Sequence, residues 1–197
     1  NGVVLPNGHV VIVGGQTLPV PFSDNTTILV PEIWDADTRV FRQLAPMVTP
    51  RNYHSTAILL PDGRVFSGGG GQCGQGCAAN HFNTEILSPP YLFNPDGSPA
   101  TRPSITSAPA TAALGGTIAV TTNSPVANFA LIRLSSTTHT VNNDQRRVPL
   151  VIQSTSSATS YTLAVPSDAG VVLPGYYMLF ALNGRGVPSV AATLRIN

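Results

Sequence analysis

The feature that most constrains this chain is a strand–turn–strand pattern that occurs twice. Leu-Pro-Asn-Gly-His-Val at residues 5–10 recurs as Leu-Pro-Asp-Gly-Arg-Val at residues 60–65, and a Gly-Gly pair ends each copy, at 14–15 and 69–70. Pro-Asn-Gly and Pro-Asp-Gly are turn sequences in which glycine supplies a positive φ. The offset of about 55 residues is close to the roughly 50 residues of one kelch-type propeller blade. The repeat therefore predicts antiparallel hairpins of a β-propeller.

The rest of the chain also has the pattern of short strands, and no segment has a convincing helical period. In the first half we predict strands at Thr27–Trp34, Val40–Leu44, Tyr53–Leu60 and Phe82–Leu87. After a proline-rich stretch we predict strands at Thr117–Thr122, Phe129–Leu134, Val148–Ile152, Tyr161–Val165, Tyr176–Leu182 and Ala191–Ile196. Short alternating strands over about 95 residues fit an immunoglobulin-like β-sandwich. Pro174-Gly175-Tyr176-Tyr177 has the pattern of a corner tyrosine that enters a late strand.

We therefore predict an all-β chain of two parts. Residues 1–92 would form the last one to two blades of a kelch-type propeller, and residues 93–197 an immunoglobulin-like sandwich. Because a propeller needs about four blades or more to close, we expect residues 1–92 to require preceding blades, from the same precursor or from a second chain. Alone, this chain is expected to aggregate or to have a mobile first half.

Charge and hydropathy exclude several classes of partner. The chain has ten basic residues, all of them arginine, and nine acidic residues, which gives a formal net charge of +1 over 197 residues. So balanced a chain has no electrostatic reason to bind nucleic acid or an anionic membrane. No apolar run approaches the roughly 18 residues that a membrane-spanning helix needs. We expect neither nucleic acid nor a membrane as a partner.

The two cysteines lie close together, in Gln72-Cys73-Gly74-Gln75-Gly76-Cys77. In a secreted protein this spacing favours a local disulfide between Cys73 and Cys77. The alternative is a metal site, because Cys73, Cys77 and His81 are evenly spaced by four. Zinc sites of this kind need four ligands, and no fourth ligand follows.

One connection is long for a β-protein. The polar segment from Ser135 to Arg147 has 13 residues between two predicted strands, whereas most hairpin loops have 2–5 residues. Half of it, at roughly 3.3 Å per residue, could reach about 20 Å from the sandwich. His139 lies near its centre and could therefore enter a neighbouring domain.

Tyr53-His54 and His139 together have the composition of a mononuclear copper site, because imidazole nitrogen and phenolate oxygen suit Cu(II). Adjacent residues on a regular strand face opposite sides. Tyr53 and His54 can therefore share a metal only at a strand start or a distortion. Pro50 precedes them, which is consistent with a strand that begins only after His54.

These motifs resemble the galactose oxidase family of copper radical oxidases. The similarity includes Asn52-Tyr53-His54-Ser55, Phe66–Gly71, Thr138–Asn142 and Val165–Asp168. It covers nearly the whole chain but only about the last third of such an enzyme. The resemblance implies a seven-bladed kelch-type propeller followed by an immunoglobulin-like domain, whose loop 135–147 carries a copper-binding histidine into the propeller axis.

The resemblance also implies the roles of particular residues. His54 and His139 would be equatorial copper ligands, and Tyr53 the axial ligand and general base. Phe22, in Gln16–Asp24, matches a loop that presents an aromatic ring to the sugar, and the family also carries a disulfide near Cys73 and Cys77. The tyrosine–cysteine cross-link that carries the family's radical matches no residue here, so we expect it on upstream sequence.

Two functions follow as hypotheses. The first is a secreted, extracellular copper radical oxidase that converts a primary alcohol, such as a galactose-type sugar, to the aldehyde and reduces O2 to H2O2. We then expect its signal peptide to lie outside this chain. The alternative is a non-catalytic kelch and immunoglobulin-like module that binds carbohydrate or protein. Metal content together with an absorption spectrum of the intact protein would discriminate between them.

Overall fold

The computed structural model describes residues 1–197, and strands dominate the chain from end to end. The only helical element is a short 3-10 turn at Pro90–Leu92. The strands are β1 (Gly2–Val4), β2 (Val10–Ile12), β3 (Glu32–Trp34), β4 (Phe41–Gln43), β5 (Ser55–Leu59), β6 (Val65–Gly69), β7 (Thr84–Leu87), β8 (Ile105–Ser107), β9 (Thr111–Ala112), β10 (Thr117–Thr122), β11 (Asn128–Arg133), β12 (Ser136–Thr138), β13 (Val141–Asn143), β14 (Arg147–Ser157), β15 (Ser160–Ala164), β16 (Gly175–Leu182) and β17 (Ala192–Ile196). The predicted all-β class is confirmed. No helix has the length and apolar character needed to cross a membrane.

The chain divides into two compact units. The first contains residues 1–60, 64–88 and 135–145, and the second contains residues 61–63, 89–134 and 146–197. Residues 135–145 thus belong to the first unit, although the residues on either side of them in the sequence belong to the second.

The first unit contains the strands of the two hairpins that the repeat predicts. Strands β1, β2, β3 and β4 form an antiparallel sheet in that order, and β5, β6 and β7 form a second one. In the first hairpin the Leu5 N–H donates to the His9 carbonyl at 2.8 Å, and Gly8 supplies a φ of 96°. In the second, the Leu60 N–H donates to the Arg64 carbonyl at 2.8 Å, and the φ of Gly63 is 81°. The same turn chemistry therefore produces both hairpins.

All four strands predicted for this unit begin later than the sequence indicates, and two of them, β4 and β7, begin at Phe41 instead of Val40 and at Thr84 instead of Phe82. The strand predicted from Thr27 begins at Glu32, directly after Pro31, which has no N–H to donate to a ladder. The strand predicted from Tyr53 begins at Ser55, because residues 53–54 form a turn. These last two strands still pair antiparallel with their neighbours.

The segment 135–147, predicted as one long loop, contains two short strands. Its central part is a hairpin of β12 and β13, and Thr138 faces Val141 across a two-residue turn at His139-Thr140. Arg147 already belongs to β14. Both turn residues have a positive φ, 51° at His139 and 65° at Thr140, as the primed turns of two-residue hairpins require. The usual signal for such a turn, Asn-Gly, is absent here, so the hairpin could not be predicted from local sequence.

The second unit is an eight-stranded sheet in the order β8-β10-β15-β14-β11-β16-β17-β9, curled around one core. All its pairs are antiparallel except β17 with β9. The core is apolar and includes Ile118, Phe129, Leu131, Leu163, Leu179 and Leu194. Tyr177 is fully buried and donates from its hydroxyl to the Leu173 carbonyl at 2.7 Å. This hydrogen bond is the corner that the Pro-Gly-Tyr-Tyr sequence predicts.

Candidate metal centre

Tyr53 and His54 occupy a turn directly before β5, and their rings lie against each other. The ring centroids are 3.8 Å apart, and the ring planes are inclined by 31°. His54 has a φ of 62°, and the Ser55 N–H donates to the Asn52 carbonyl at 3.0 Å across the turn. The left-handed residue breaks the alternation of a regular strand, so that neighbouring side chains can share one side.

A backbone carbonyl fixes the orientation of the His54 ring. His54 Nδ1 lies 2.9 Å from the carbonyl oxygen of Gly71. A carbonyl only accepts, so Nδ1 carries the proton and Nε2 keeps its lone pair. A histidine that binds a metal through one nitrogen and donates from the other to a carbonyl has this same arrangement.

Only glycine fits at position 71, where this carbonyl originates. A Cβ on Gly71 would lie 2.3 Å from the Ala79 carbonyl oxygen, and the φ of Gly71 is 88°. The Gly71 N–H also donates to the Tyr53 carbonyl at 2.8 Å. Gly71 therefore holds the backbone of Tyr53 with its N–H and the ring of His54 with its carbonyl.

His139 lies at the exposed tip of the β12–β13 hairpin. Its ring centroid is 6.0 Å from that of His54, and the ring planes are inclined by 66°. Nδ1 of His139 lies 2.7 Å from the Thr138 hydroxyl, so Nε2 is its other nitrogen available to a ligand. A positive φ at a β-branched residue such as Thr140 is strained. Such strain persists only where the surroundings impose it, and it is concentrated at functional sites.

The base of this hairpin is attached to the sheets of the same unit by amide side chains. Gln145 Nε2 donates to the Gly2 carbonyl at 2.8 Å, and Gln145 Oε1 accepts from the Val4 N–H at 2.9 Å. Asn142 Nδ2 donates to the Ala57 carbonyl at 3.3 Å. The hairpin is thus anchored to β1 and β5, and β5 follows directly after His54.

Phe22 completes an aromatic group around the two adjacent residues. Its ring meets that of Tyr53 edge to face, with centroids 5.1 Å apart and planes inclined by 78°, and its centroid is 6.0 Å from that of His54. The side chain is 46% exposed. An edge-to-face contact of this kind stabilises the rings' positions while one apolar surface stays accessible.

A cavity of about 290 Å³ opens beside Tyr53 and Thr140. Its wall is apolar along Pro19, Val20 and Pro21, and Asn52 supplies an amide. An apolar wall with a few polar groups is typical of a small-molecule site.

The donor set fits copper. Two imidazoles and one phenol oxygen are ligands that Cu(II) accepts. Two imidazoles bound to one ion through bonds of about 2.0 Å have ring centroids no more than about 6.4 Å apart, and the observed separation is 6.0 Å. Because Nδ1 of His54 donates to the Gly71 carbonyl, the lone pair of Nε2 is available to bind a metal. Tyr53, His54 and His139 could therefore hold one ion.

The alternative metal site at Cys73, Cys77 and His81 is wrong. Cys73 and Cys77 form a disulfide, so neither sulfur is a thiolate. His81 instead pairs with Asp24, with 2.9 Å between Nε2 and Oδ2. The sequence contained no signal for this pair, because the two residues are far apart in the chain.

Arg51, two residues before Tyr53, is a buried residue of the site that no sequence pattern indicates. Arg51 is 1% exposed, and its guanidinium donates to the Gly69 carbonyl at 2.9 Å and lies 3.5 Å from a Glu85 carboxylate oxygen. Burial lowers the pKa of Arg51, and the charge of Glu85 opposes that shift. A fully buried arginine is rare enough to recognise in a structure, but nothing in the sequence distinguishes Arg51 from the nine other arginines.

Comparisons with known proteins agree on one family. Residues 102–196 match the family described as galactose oxidase-like, Early set domain. Galactose oxidase of Gibberella zeae is 49% identical over 195 residues, which are 98% of this chain and 28% of that protein. An aldehyde oxidase of Vitis pseudoreticulata is 32% identical over 98% of this chain and 40% of its own length.

A solved structure gives the same result. A fungal alcohol oxidase of the AA5 family, determined in complex with copper, matches with a TM-score of 0.96 and 48% identity. The match covers 100% of this chain and 42% of that protein. The chain therefore spans less than half the length of each of these relatives.

Proposed function

Since this chain belongs to the galactose oxidase family, with its Early set domain at residues 102–196, we propose that it supplies the copper ligands of an alcohol oxidase. His54 and His139 would hold copper through their Nε2 atoms, and Tyr53 through its phenol oxygen. The observation that carries this proposal is the meeting of three rings from two distant segments, with ring centroids 3.8 Å apart for Tyr53 and His54 and 6.0 Å apart for His54 and His139.

The reaction would oxidise a primary alcohol to the aldehyde while O2 is reduced to H2O2. The alcohol loses two hydrogens, one from oxygen and one from carbon, and O2 gains both together with their two electrons. Bound copper would supply one-electron redox chemistry at this site. We propose that a tyrosine–cysteine cross-link on sequence outside this chain would accept the second of the two electrons that the alcohol loses.

Other steps would depend on residues of this chain. The Tyr53 oxygen would accept the hydroxyl proton of the alcohol, as a general base within reach of the substrate. The Gly71 carbonyl would keep His54 in the tautomer that leaves Nε2 free. Phe22 would offer its exposed ring to the apolar face of a sugar, since aromatic rings provide such surfaces. Alcohol is favoured over aldehyde as substrate because the galactose and alcohol oxidases are 49% and 48% identical to this chain and the aldehyde oxidase is 32% identical.

We also propose that residues 1–92 are propeller blades and residues 93–197 an immunoglobulin-like domain of a secreted protein. A blade is a four-stranded antiparallel sheet, and β1, β2, β3 and β4 form a sheet of this kind. The Cys73–Cys77 disulfide is compatible with an oxidising, extracellular setting. Upstream blades of the same precursor or of a second chain would be the partner of this part.

Copper content and peroxide formation test the proposal in the full-length protein. We expect one copper per protein and H2O2 production from galactose or another primary alcohol. His54→Ala and His139→Ala should each lose copper, and the matched variant His9→Ala should retain it, because His9 lies at the β1–β2 turn beside Asp35. Copper-free protein with no peroxide formation would favour the non-catalytic binding module instead.

A further inference from the structure

The pair of Asp24 and His81 links three segments around the candidate site. Asp24 follows Phe22 by two residues, and its Oδ2 lies 2.9 Å from His81 Nε2. Its other oxygen, Oδ1, accepts from Asn52 Nδ2 at 3.4 Å. Since Asn52 directly precedes Tyr53, Asp24 connects the loop of Phe22 both to the turn of Tyr53 and to the segment of His81.

Phe22 needs such external support. Its φ is 58°, a left-handed conformation that is unfavourable for a bulky side chain. The carbonyl of the next residue, Ser23, accepts from Gln16 Nε2 at 2.8 Å and from Asn52 Nδ2 at 3.1 Å. With the Asp24–His81 contact, the chain directly after Phe22 is held at two consecutive residues. Strained backbone of this kind persists where its surroundings fix it.

His81 is in turn fixed to the glycine segment that orients His54. The His81 N–H donates to the Gly70 carbonyl at 3.2 Å, and a Cβ on Gly70 would lie 3.3 Å from the His81 ring. The next residue, Gly71, accepts the hydrogen bond of His54 Nδ1. The space enclosed by Phe22, Asp24 and His81 has no room for a water molecule. Between these three residues the pair therefore acts by packing and hydrogen bonding.

We propose that Asp24 and His81 are positioning residues that hold the Phe22 ring against Tyr53 and thereby set the affinity for sugar-sized alcohols. This inference rests on the function proposed above. Neither residue touches the reacting atoms. An alcohol too small to reach Phe22 does not need the ring, so its oxidation does not depend on the pair.

The test compares Asp24→Ala, Asp24→Asn and the control Asp37→Ala, which removes an exposed acid of the same unit. For each full-length variant, KM and kcat are measured with galactose and with propan-1-ol. Hydrogen exchange of the peptide that spans residues 16–28 is measured separately. Asp24→Asn keeps the shape of the side chain and one amide contact to His81, so it should restore most of what Asp24→Ala loses.

For Asp24→Ala we expect faster exchange in residues 16–28 and a KM for galactose that rises about 10- to 100-fold. The kcat for propan-1-ol should stay near that of the unmodified protein. An unchanged KM for galactose, or an equal loss of kcat on both alcohols, overturns the proposal. If the unmodified protein oxidises no alcohol, the proposed function fails, and slow exchange in Asp24→Ala then also rules out the positioning role.

Discussion

The ring centroids of Tyr53 and His54 lie 3.8 Å apart although the two residues are adjacent in the chain. The left-handed φ of His54 makes this possible, and Gly71 holds both residues from the opposite segment. The proposed base and one proposed copper ligand are therefore fixed together by the same backbone. Substitution of Tyr53 or of His54 alone tests the two proposed roles separately.

Replacing Tyr53 with Phe should remove the proposed base and leave both histidines in place. The Phe22 contact also survives, since a phenylalanine ring can make the same edge-to-face pair. We expect near-normal copper content and a kcat for alcohol oxidation that falls by about 10²–10⁴. Steady-state peroxide production with parallel copper analysis measures both. An unchanged kcat would show that Tyr53 takes no proton.

Replacing Gln145 with Ala should weaken copper binding without touching a ligand. Its amide makes two hydrogen bonds to the backbone of β1, at 2.8 and 2.9 Å, and so anchors the hairpin that carries His139. Loss of groups that orient metal ligands typically lowers metal affinity about 10- to 100-fold. Copper titration of the full-length protein checks this. Gln145→Glu keeps the acceptor but not the donor, so its copper affinity should lie between those of Gln145→Ala and the unmodified protein. If Gln145→Ala binds copper as tightly as the unmodified protein, Gln145 does not anchor the hairpin.

Replacing Thr140 with Gly should stabilise the protein. Thr140 has a φ of 65° in the two-residue turn, and left-handed backbone at such a residue costs of order 1–3 kcal/mol, part of which the greater chain entropy of glycine offsets. We expect the free energy of unfolding to rise by about 1 kcal/mol. Denaturant unfolding measures the change. The control Thr137→Gly, in the middle of β12, should lower stability, and a loss of the same size in both variants would contradict the strain argument.

Glu85 should make stability depend on pH. Burial would raise the pKa of Glu85, but N–H donors of Val48 and Thr49 and the charge of Arg51 outweigh it, so the pKa lies below its ordinary value of 4.5. The ionised form is thus favoured in the folded state. The stabilisation is complete above about pH 4.5 and disappears as the pH falls through the lower, folded-state pKa.

Unfolding of Glu85→Gln at several pH values checks this dependence. At pH 7 the variant should be less stable than the unmodified protein. The difference should shrink on acidification, because both proteins then carry a neutral side chain at position 85. A difference that stays constant from pH 7 to pH 2 would show that the charge of Glu85 makes no contribution.

Local sequence patterns predicted the parts of this structure that depend on local chemistry. The hairpins at Gly8 and Gly63 follow from turn residues that adopt positive φ readily, and β10 has the predicted bounds, Thr117–Thr122. The irregular backbone at His54 also followed, because two adjacent ring ligands cannot share a side of a regular strand. These inferences need only neighbouring residues.

The remaining features depend on contacts between distant residues. The turn at His139-Thr140 has no glycine or asparagine, so tertiary contacts such as those of Gln145 must impose it. The partners of Asp24 and Arg51, which are His81 and Glu85, become visible only when the chain is folded. No periodicity or motif in a single sequence reports such pairs.

We propose above that His54 and His139 bind the same copper ion. Pulsed electron paramagnetic resonance of the Cu(II) protein counts the imidazoles bound to the ion, because it detects the nitrogen of each ring that does not coordinate the metal. We predict two imidazoles in the full-length protein, and one or none in each of His54→Gln and His139→Gln. Two imidazoles that persist in either variant would contradict the claim, because that histidine would then not be a ligand.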